Sequence, residues 1–308
     1  MSDHQRVLVT GGGGFLGGYI CSHFRKHGYQ VMAVGRFKEQ PKTEPQYTGC
    51  NCIEMSLPDS GFSKLLQTFR PELLVHCAGT SSVDSSVADP YTDFYKNTIT
   101  CAFTLEMLRQ ATPECRFLFL SSAAVYGNPS RLPISEQAPC RPISPYGYHK
   151  LLCEQMVQEY SCLYGLRFIT ARLFSAYGEG LRRQILYDLC CKFKSMDAVE
   201  VYGTGAETRD FIHAADVAAS LMLLHEEDAA GVFNVASGEQ TTVSSVVEEL
   251  RQGLQSSQPL FYSGTNKPGN PLHWQADTTR LKTTGFKISV PLREGIEHYC
   301  HWFITAIQ

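Results

Sequence analysis

Short apolar segments alternate with longer amphipathic ones through the first 175 residues of this 308-residue chain. Segments that are apolar almost throughout are predicted to be strands: Val7–Thr10, Gln30–Val34, Asn51–Met55, Leu73–Cys77, Arg116–Leu120 and Arg167–Arg172. Segments between them are predicted to be helices: Leu16–Lys26, Ser63–Phe69, Tyr91–Gln110 and Tyr146–Tyr164. Such strands form a parallel sheet with helices on both faces. We therefore expect an α/β fold with a doubly wound parallel sheet and a binding crevice at the carboxyl ends of its strands.

The order is less regular after Phe174. Helices are predicted over Ala214–Glu227, Val243–Gln255 and Leu292–Ile304, a strand over Gly231–Val235, and a loop over Gln258–Pro271. Because the strand has the character of a sheet strand, the C-terminal part is expected to interleave with the first. We predict a Rossmann-type domain over residues 1–174 and a smaller substrate-binding lobe mainly over 175–308, with residues of about 209–240 returning to the first domain.

The composition excludes several classes of partner. A net charge of -3 gives no indication of a nucleic-acid partner or an anionic membrane surface. There is no apolar run long enough to span a membrane, and the chain enters its first strand without room for a signal peptide. The twelve cysteines are scattered without the spacing of a zinc site. We expect no metal, reduced cysteines and a cytoplasmic location.

A glycine-rich turn follows the first strand and opens the first helix. It reads Gly11-Gly12-Gly13-Gly14-Phe15-Leu16-Gly17. Glycines allow a sharp turn and a close approach to a pyrophosphate, which binds at the positive end of a helix. This context predicts a site for a nicotinamide dinucleotide.

The end of the second strand bears on the choice between NAD and NADP. An acidic residue there would bind the ribose hydroxyls of NAD, whereas an arginine accommodates the 2′-phosphate of NADP. The chain has Arg36 at this place and no acid, which favours NADP. An exposed surface arginine without a ligand is the alternative.

Tyr146 precedes Lys150 by one helical turn, so both side chains lie on one face of the predicted helix. A phenol is a poor base near neutral pH, but a nearby ammonium group stabilises the phenolate. The pair therefore fits proton transfer to or from an alcohol or ketone. By itself this spacing is equally typical of an amphipathic helix with a surface lysine.

Several further blocks occur in a fixed order. They are Val75-His76-Cys77-Ala78-Gly79, Tyr95-Lys96-Asn97-Thr98, Leu120-Ser121-Ser122-Ala123-Ala124-Val125-Tyr126-Gly127, Thr208-Arg209-Asp210-Phe211-Ile212-His213 and Asn234-Val235-Ala236-Ser237-Gly238. With the glycine-rich turn and the Tyr146–Lys150 pair, they resemble the extended short-chain dehydrogenase/reductase family, also called the NAD-dependent epimerase/dehydratase family. The chain looks most like its sugar-nucleotide 4-epimerases.

The resemblance implies roles for individual residues. Tyr146 is expected to be the catalytic acid/base, Lys150 to stabilise its phenolate and hold the nicotinamide ribose, and Ser122 to bind the reacting sugar oxygen. Gly11, Gly14, Phe15, Leu16, Gly17, Ala78 and Asn97 are expected at the cofactor. Arg209 resembles the arginine that clamps a nucleotide diphosphate, with Lys267 as a second cation, and either Arg182 or Arg183 could also reach phosphate.

Departures from the family pattern narrow the function. The acidic pair that dehydratases carry after the catalytic Ser or Thr is replaced by Ala123 and Ala124, which cannot transfer protons. Dehydration is therefore not expected. Phe174-Ser175 replaces the usual Phe-Asn, and Ser56 stands where the family has an adenine-reading Asp.

Three functions stay open at this level. The first is 4-epimerisation of a nucleoside-diphosphate hexose through a 4-keto intermediate. The alternative is an NADPH-dependent 4-ketoreductase of a nucleotide-linked 4-keto-6-deoxy sugar, which uses the same residues. The third is a non-catalytic dinucleotide-sensing protein. The resemblance also implies a homodimer formed through the helix that carries Tyr146 and Lys150.

Overall fold

A seven-stranded parallel sheet forms the centre of the protein. The computed structural model describes residues 5–37, 45–265, 269 and 271–306. The sheet strands are β1 (Arg6–Thr10), β2 (Gln30–Gly35), β3 (Asn51–Glu54), β4 (Leu73–His76), β5 (Arg116–Ser122), β6 (Phe168–Leu173) and β11 (Gly231–Val235). Their order across the sheet is β11-β6-β5-β4-β1-β2-β3. The predicted Rossmann-type doubly wound sheet is confirmed.

Helices cover both faces of the sheet, because its strands are apolar on both sides. One face packs against α1 (Phe15–Lys26) and α8 (Ala214–Glu226). The other packs against α2 (Phe62–Phe69), α5 (Thr100–Ala111) and α6 (Pro145–Tyr164). Within the described ranges, no helix has the length and apolar run needed to cross a lipid bilayer.

The strand order reverses between β1 and β4, which places a crevice at their carboxyl ends. Thr10 ends β1 and His76 ends β4, and Thr10 Oγ1 lies 2.9 Å from His76 Nδ1. Burial lowers the pKa of His76 to about 3, and the Lys150 ammonium acts in the same direction. The ring is therefore neutral at physiological pH.

The C-terminal part builds a second hydrophobic cluster and also contributes β11 to the main sheet. Its remaining elements are β7 (Ser175–Tyr177), α7 (Gln184–Ser195), β8 (Val199–Val201), β9 (Thr208–Arg209), β10 (Phe211–His213), β12 (Thr241–Thr242), α9 (Val243–Gly253), β13 (Leu260–Tyr262), α10 (Thr279–Lys282) and α11 (Leu292–Ala306). The division into domains at residue 174 stays a prediction.

Several elements differ from the sequence-based expectation, among them the short strands β7–β10 and β12 and helix α10, which were not predicted. The helix predicted over Tyr91–Gln110 is divided into α4 (Pro90–Phe94), a π-helical turn (Tyr95–Ile99) and α5, and it follows a further short helix, α3 (Val83–Ala88). Helix α7 was not predicted, although Leu186, Leu189, Cys190 and Phe193 are buried at helical spacing. Strand β13 lies inside a predicted loop because it pairs with β8, a long-range contact.

A buried ion pair fixes α6 on the sheet. The Arg172 guanidinium on β6 donates to both carboxylate oxygens of Glu154 on α6, with Nε–Oε1 at 3.0 Å and Nη2–Oε2 at 2.7 Å. Their side chains are only 7% and 9% exposed. Arg172 also donates to the Tyr126 hydroxyl, which donates to Asn234 Oδ1 on β11. One polar network therefore joins α6, β6 and β11.

Replacing Glu154 with alanine should lower the free energy of unfolding by about 3–5 kcal/mol, because a buried guanidinium would lose its counter-charge. Urea denaturation measures the effect. The matched control is Glu248→Ala, since Glu248 pairs with Arg251 at 3.8 Å on the surface and such pairs contribute about 0–1 kcal/mol. Equal losses in the two variants would contradict the assigned role of the buried pair.

Candidate active site

The glycine-rich turn lies against the end of β4. Gly11 has a φ of +69°, and a Cβ built on it would lie 2.7 Å from the Ala78 amide nitrogen. A Cβ on Gly17 would collide with the Gly11 carbonyl oxygen. Only glycines permit this packing. The structure therefore brings together Gly11, Gly17 and Ala78, three of the residues predicted at the cofactor.

The start of α1 fits a phosphate group. Its N-cap is Gly14, which has no side chain to satisfy the first amides, and its first turn contains no acidic residue. Free amides and the positive end of the helix dipole favour an anion at this place. Phe15 and Leu16, also predicted at the cofactor, form this first turn. These residues would hold the pyrophosphate of a nicotinamide dinucleotide.

Asn97 lies in the π-helical turn and is 1% exposed. Its side-chain amide nitrogen is 2.8 Å from Thr80 Oγ1 and 3.1 Å from Asp93 Oδ1, and its carbonyl oxygen accepts from the Thr80 amide at 3.3 Å. Asp93 Oδ2 is 2.6 Å from His149 Nδ1 on α6. Through Asp93, Asn97 therefore connects the segment that follows β4 with α6, the helix that carries Tyr146.

Arg36 is exposed at the end of β2. Glu54, at the end of β3, lies beside Gly35, and its carboxylate accepts a hydrogen bond from the Phe37 amide at 3.1 Å. An acid therefore stands near the end of β2 after all. It was missed because β3 supplies it, and the sequence does not reveal which residues of two strands are paired.

Tyr146 and Lys150 lie on the buried face of α6, 7% and 6% exposed. Lys150 Nζ donates to the Leu120 carbonyl oxygen on β5 at 3.0 Å, and it lies 5.9 Å from the centre of the Tyr146 ring and 4.9 Å from that of Phe119. The buried positions of both side chains exclude the surface-lysine alternative. An ammonium group fixed beside a phenol ring suits stabilisation of a phenolate.

Ser122 ends β5, two residues after the Lys150 contact. Its hydroxyl oxygen accepts from the Ala124 amide at 3.2 Å and so caps the short 3₁₀ turn Ala123–Val125. The hydroxyl proton is left for another acceptor. The next two residues, Ala123 and Ala124, are buried at 0% and 7% exposure. Their methyl side chains cannot ionise, so neither position can supply an acid or a base.

Arg209 lies on the side of the C-terminal part. Its guanidinium donates to the Thr208 carbonyl oxygen at 2.8 Å and lies 5.8 Å from the Trp274 ring centre. Burial lowers its pKa to about 10, which leaves it charged at neutral pH. Trp274 packs in one hydrophobic cluster with Tyr146 and Phe174. Lys267, the other predicted phosphate ligand, lies outside the described residues.

Asp210 organises this side of the site, a role that the sequence did not reveal. It is fully buried, and its carboxylate accepts from the amides of Ser237, Gly238 and Ala276 at 2.9–3.0 Å. Burial raises its pKa to about 6, while these hydrogen bonds act in the opposite direction. It thereby joins three separate loops beside Arg209.

The loop after β7 contributes two cations. Arg182 stacks on Trp302 at 5.8 Å. Arg183 is exposed to solvent, but the surrounding atoms desolvate it enough to lower its pKa, and Tyr146 acts in the opposite direction. Of the two, Arg183 is therefore the one whose charge interacts with Tyr146.

A phosphate-binding turn and a buried Tyr–Lys pair at the carboxyl edge of one parallel sheet define a dinucleotide-dependent oxidoreductase site. Among the residues that the structure describes, no three His, Cys, Asp or Glu side chains group to hold a metal ion. The model of the NAD-dependent epimerase/dehydratase family matches residues 7–236.

Known proteins are similar to this chain over nearly its whole length. A UDP-glucose 4-epimerase of Azospirillum brasilense is 30% identical, over 90% of this chain and 85% of its own. Two solved structures have TM-scores of 0.89 and 0.88. They are the UDP-N-acetylglucosamine 4-epimerase of Methanobrevibacter ruminantium with UDP-N-acetylmuramic acid (26% identity, 98% and 99% coverage) and the UDP-glucose 4-epimerase of Thermus thermophilus with NAD (27%, 98% and 100%).

The chain therefore belongs to the NAD-dependent epimerase/dehydratase family, as its resemblance predicted, and it is an NAD-dependent enzyme.

Gly11→Ala should abolish NAD binding, because the added methyl group overlaps the backbone at Ala78. Mass spectrometry of copurified dinucleotide and calorimetric titration with NAD measure this. Gly28→Ala is the control, since Gly28 also has a positive φ, +89°, but a Cβ there meets nothing within 4 Å. The two variants share the strain of a positive φ, about 1–2 kcal/mol. Retained binding in Gly11→Ala would contradict the assigned site.

Proposed function

We propose that the enzyme is a sugar-nucleotide 4-epimerase that oxidises and re-reduces C4 of a nucleoside-diphosphate hexose. The observation that carries this proposal is the buried Tyr146–Lys150 pair, whose lysine donates to β5 two residues before Ser122, with alanines at the two positions that follow Ser122. This set supplies proton transfer at one oxygen and no acid/base for elimination of water. Relatives named UDP-glucose 4-epimerase support a uridine-diphosphate sugar as the substrate class.

In the proposed mechanism, the Tyr146 phenolate takes the proton of the C4 hydroxyl, while the Lys150 ammonium stabilises the negative phenolate. The bound nicotinamide supplies the hydride acceptor and donor. Ser122 donates its free hydroxyl proton to the C4 oxygen and orients it. Because the 4-keto sugar first rotates in the site, the hydride returns to the opposite face of C4 and the configuration at C4 is inverted. Tyr146 returns the proton to the same oxygen, and there is no net oxidation.

The diphosphate of the substrate is assigned to cations on the C-terminal side. Arg209 is held by carbonyl oxygens on one side and by Trp274 below, which fixes its forked donors for bidentate binding. Arg183, whose charge interacts with Tyr146, is proposed to bind the substrate close to the reacting sugar. Lys267 is kept as a second phosphate ligand on the resemblance alone.

The alternative function is an NADPH-dependent 4-ketoreductase, favoured by Arg36, which is exposed and available for a 2′-phosphate. The nearby Glu54 carboxylate would repel such a phosphate and favours NAD. The preference for NADP stays a prediction. The dinucleotide-sensing function is the third hypothesis, and the buried Tyr–Lys pair disfavours it, because a sensor has no use for a stabilised phenolate.

A cytoplasmic homodimer completes the proposal. The twelve cysteines all lie within the described ranges and form no disulfide there, which suits a reducing compartment. An apolar patch is exposed on α6 and on the neighbouring π-helical turn, formed by Tyr95, Ile99, Tyr148 and Leu152 at 36–56% exposure. Contiguous apolar surface of this kind is typical of a subunit interface.

Tyr146→Phe should lower kcat by about 10²–10⁴-fold, the usual contribution of a general acid/base, and leave NAD binding and the thermal melting temperature unchanged. Interconversion of UDP-glucose and UDP-galactose, or of their N-acetyl forms, is the assay. Tyr164→Phe, exposed at the end of the same helix and outside the apolar patch, is the control. Undiminished turnover in Tyr146→Phe would refute the mechanism.

The same preparation separates the two catalytic functions. An epimerase interconverts the two sugar nucleotides without consuming added cofactor, and mass spectrometry identifies the copurified dinucleotide as NAD or NADP. Oxidation of added NADPH that requires a 4-keto sugar nucleotide would establish the reductase instead.

Leu152→Glu should convert a dimer to a monomer, because a charge would be buried in the apolar patch. Light scattering after size-exclusion chromatography measures the mass. Ile304→Glu, an equally drastic change at a 49% exposed site on α11, should leave the mass unchanged. A wild-type monomer, or a dimer that survives Leu152→Glu, would exclude this interface.

A further inference from the structure

The loop Gly178–Arg183 runs from the first turn of α1 towards the catalytic helix. In the middle of the loop, a Cβ on Gly180 would lie 3.9 Å from the Phe15 ring, in the phosphate-binding turn. At the C-terminal end of the loop, Arg183 interacts electrostatically with Tyr146. The pyrophosphate of a nicotinamide dinucleotide must lie at the phosphate-binding turn, and its nicotinamide must lie near Tyr146. The loop therefore connects these two places.

One carboxylate fastens this loop to α1 and to α8. Glu179 Oε2 accepts from the Tyr19 hydroxyl at 2.9 Å and lies 3.0 Å from His213 Nε2. The Tyr19 hydroxyl also approaches the Glu179 backbone carbonyl at 3.1 Å. His213 Nδ1 accepts from the Ala215 amide, so the imidazole proton is on Nε2 and is donated to Glu179. Two donors, one from α1 and one from the end of β10 at the start of α8, thus converge on a single acceptor.

The residues packed around the Glu179 carboxylate leave room for this set of hydrogen bonds only with a glycine at position 178. A Cβ on Gly178 would lie 2.9 Å from His213 Nε2 and 3.2 Å from the Tyr19 hydroxyl, so only glycine lets the loop come down on these groups. The Tyr19 ring packs edge-on against Phe15 at 5.4 Å and against His213 at 5.8 Å. The hydrogen bond from His213 lowers the pKa of Glu179 to about 2, and that from Tyr19 acts in the same direction, so the acceptor is charged.

We propose that Tyr19, Glu179 and His213 form a latch that holds the loop Gly178–Arg183 over the bound nicotinamide dinucleotide and retains it between turnovers. Tyr19 and Glu179 are positioning residues, because they act through the loop and not on the sugar. The latch explains how an enzyme that returns its hydride to the same sugar keeps its cofactor. It requires only that the cleft holds a dinucleotide, whichever reaction is catalysed there.

The test is the rate at which purified holoenzyme exchanges bound NAD for added isotope-labelled NAD, followed by mass spectrometry without sugar substrate. Tyr19→Phe should accelerate exchange by about tenfold or more, the effect of losing one hydrogen bond to a charged group. Glu179→Ala, which removes the acceptor of both hydrogen bonds, should accelerate it at least as much. The acceleration in the double variant should be smaller than the product of the two single effects, because both changes open the same latch.

Tyr29→Phe is the matched control, since Tyr29 donates to Glu226 at 3.1 Å before β2, at the opposite edge of the sheet. It should exchange NAD at the wild-type rate. Wild-type exchange in Tyr19→Phe and Glu179→Ala, or equal acceleration by Tyr29→Phe, would overturn the latch. Failure of the epimerase proposal appears separately, as absent sugar interconversion.

Discussion

The Arg172 guanidinium and the Glu154 carboxylate meet where neither reaches bulk water, and the position of the catalytic helix depends on that contact. Arg172 belongs to β6 and Glu154 to α6, one turn beyond Lys150. Removing either partner would leave an uncompensated buried charge, which is among the costliest defects a fold can carry. The pair therefore fixes the position of α6 against the sheet. This position in turn allows Lys150 to donate to the Leu120 carbonyl oxygen on β5.

The site is built from three parts that come from distant places in the sequence. The glycine-rich turn provides the anion site, α6 provides the phenol and the ammonium, and the C-terminal part provides Arg209 on a frame set by the buried Asp210. The second and third parts are held by buried hydrogen bonds within the protein, from Lys150 to β5 and from three backbone amides to Asp210. Such fixed positions suit a reaction in which a proton leaves and returns at one oxygen. The reaction needs few catalytic groups, but these groups must be held in the correct orientation.

Much of the fold could be predicted because its signals are local. Uniformly apolar strands between amphipathic helices define a parallel sheet, and the strand over Gly231–Val235 was found at its observed bounds. The π-helical turn at Asn97 could not be predicted, because the turn accompanies side-chain contacts with Thr80 and Asp93. Strand β13 was missed for a similar reason, as its pairing with β8 is a long-range contact. Helix α7 was a different case, since its buried residues do have helical spacing.

By itself, the sequence determined the sheet, the glycine-rich turn and the spacing of Tyr146 and Lys150, because each depends on residues that are neighbours along the chain. Only the tertiary structure decided which distant groups meet: Glu54 beside the end of β2, Asp210 with the amides of Ser237 and Ala276, and Glu179 between Tyr19 and His213. The physical reason is that hydrogen bonds and charges act over a few ångströms in space, and separation along the chain does not reveal which polar groups the packing of helices and strands brings within that range.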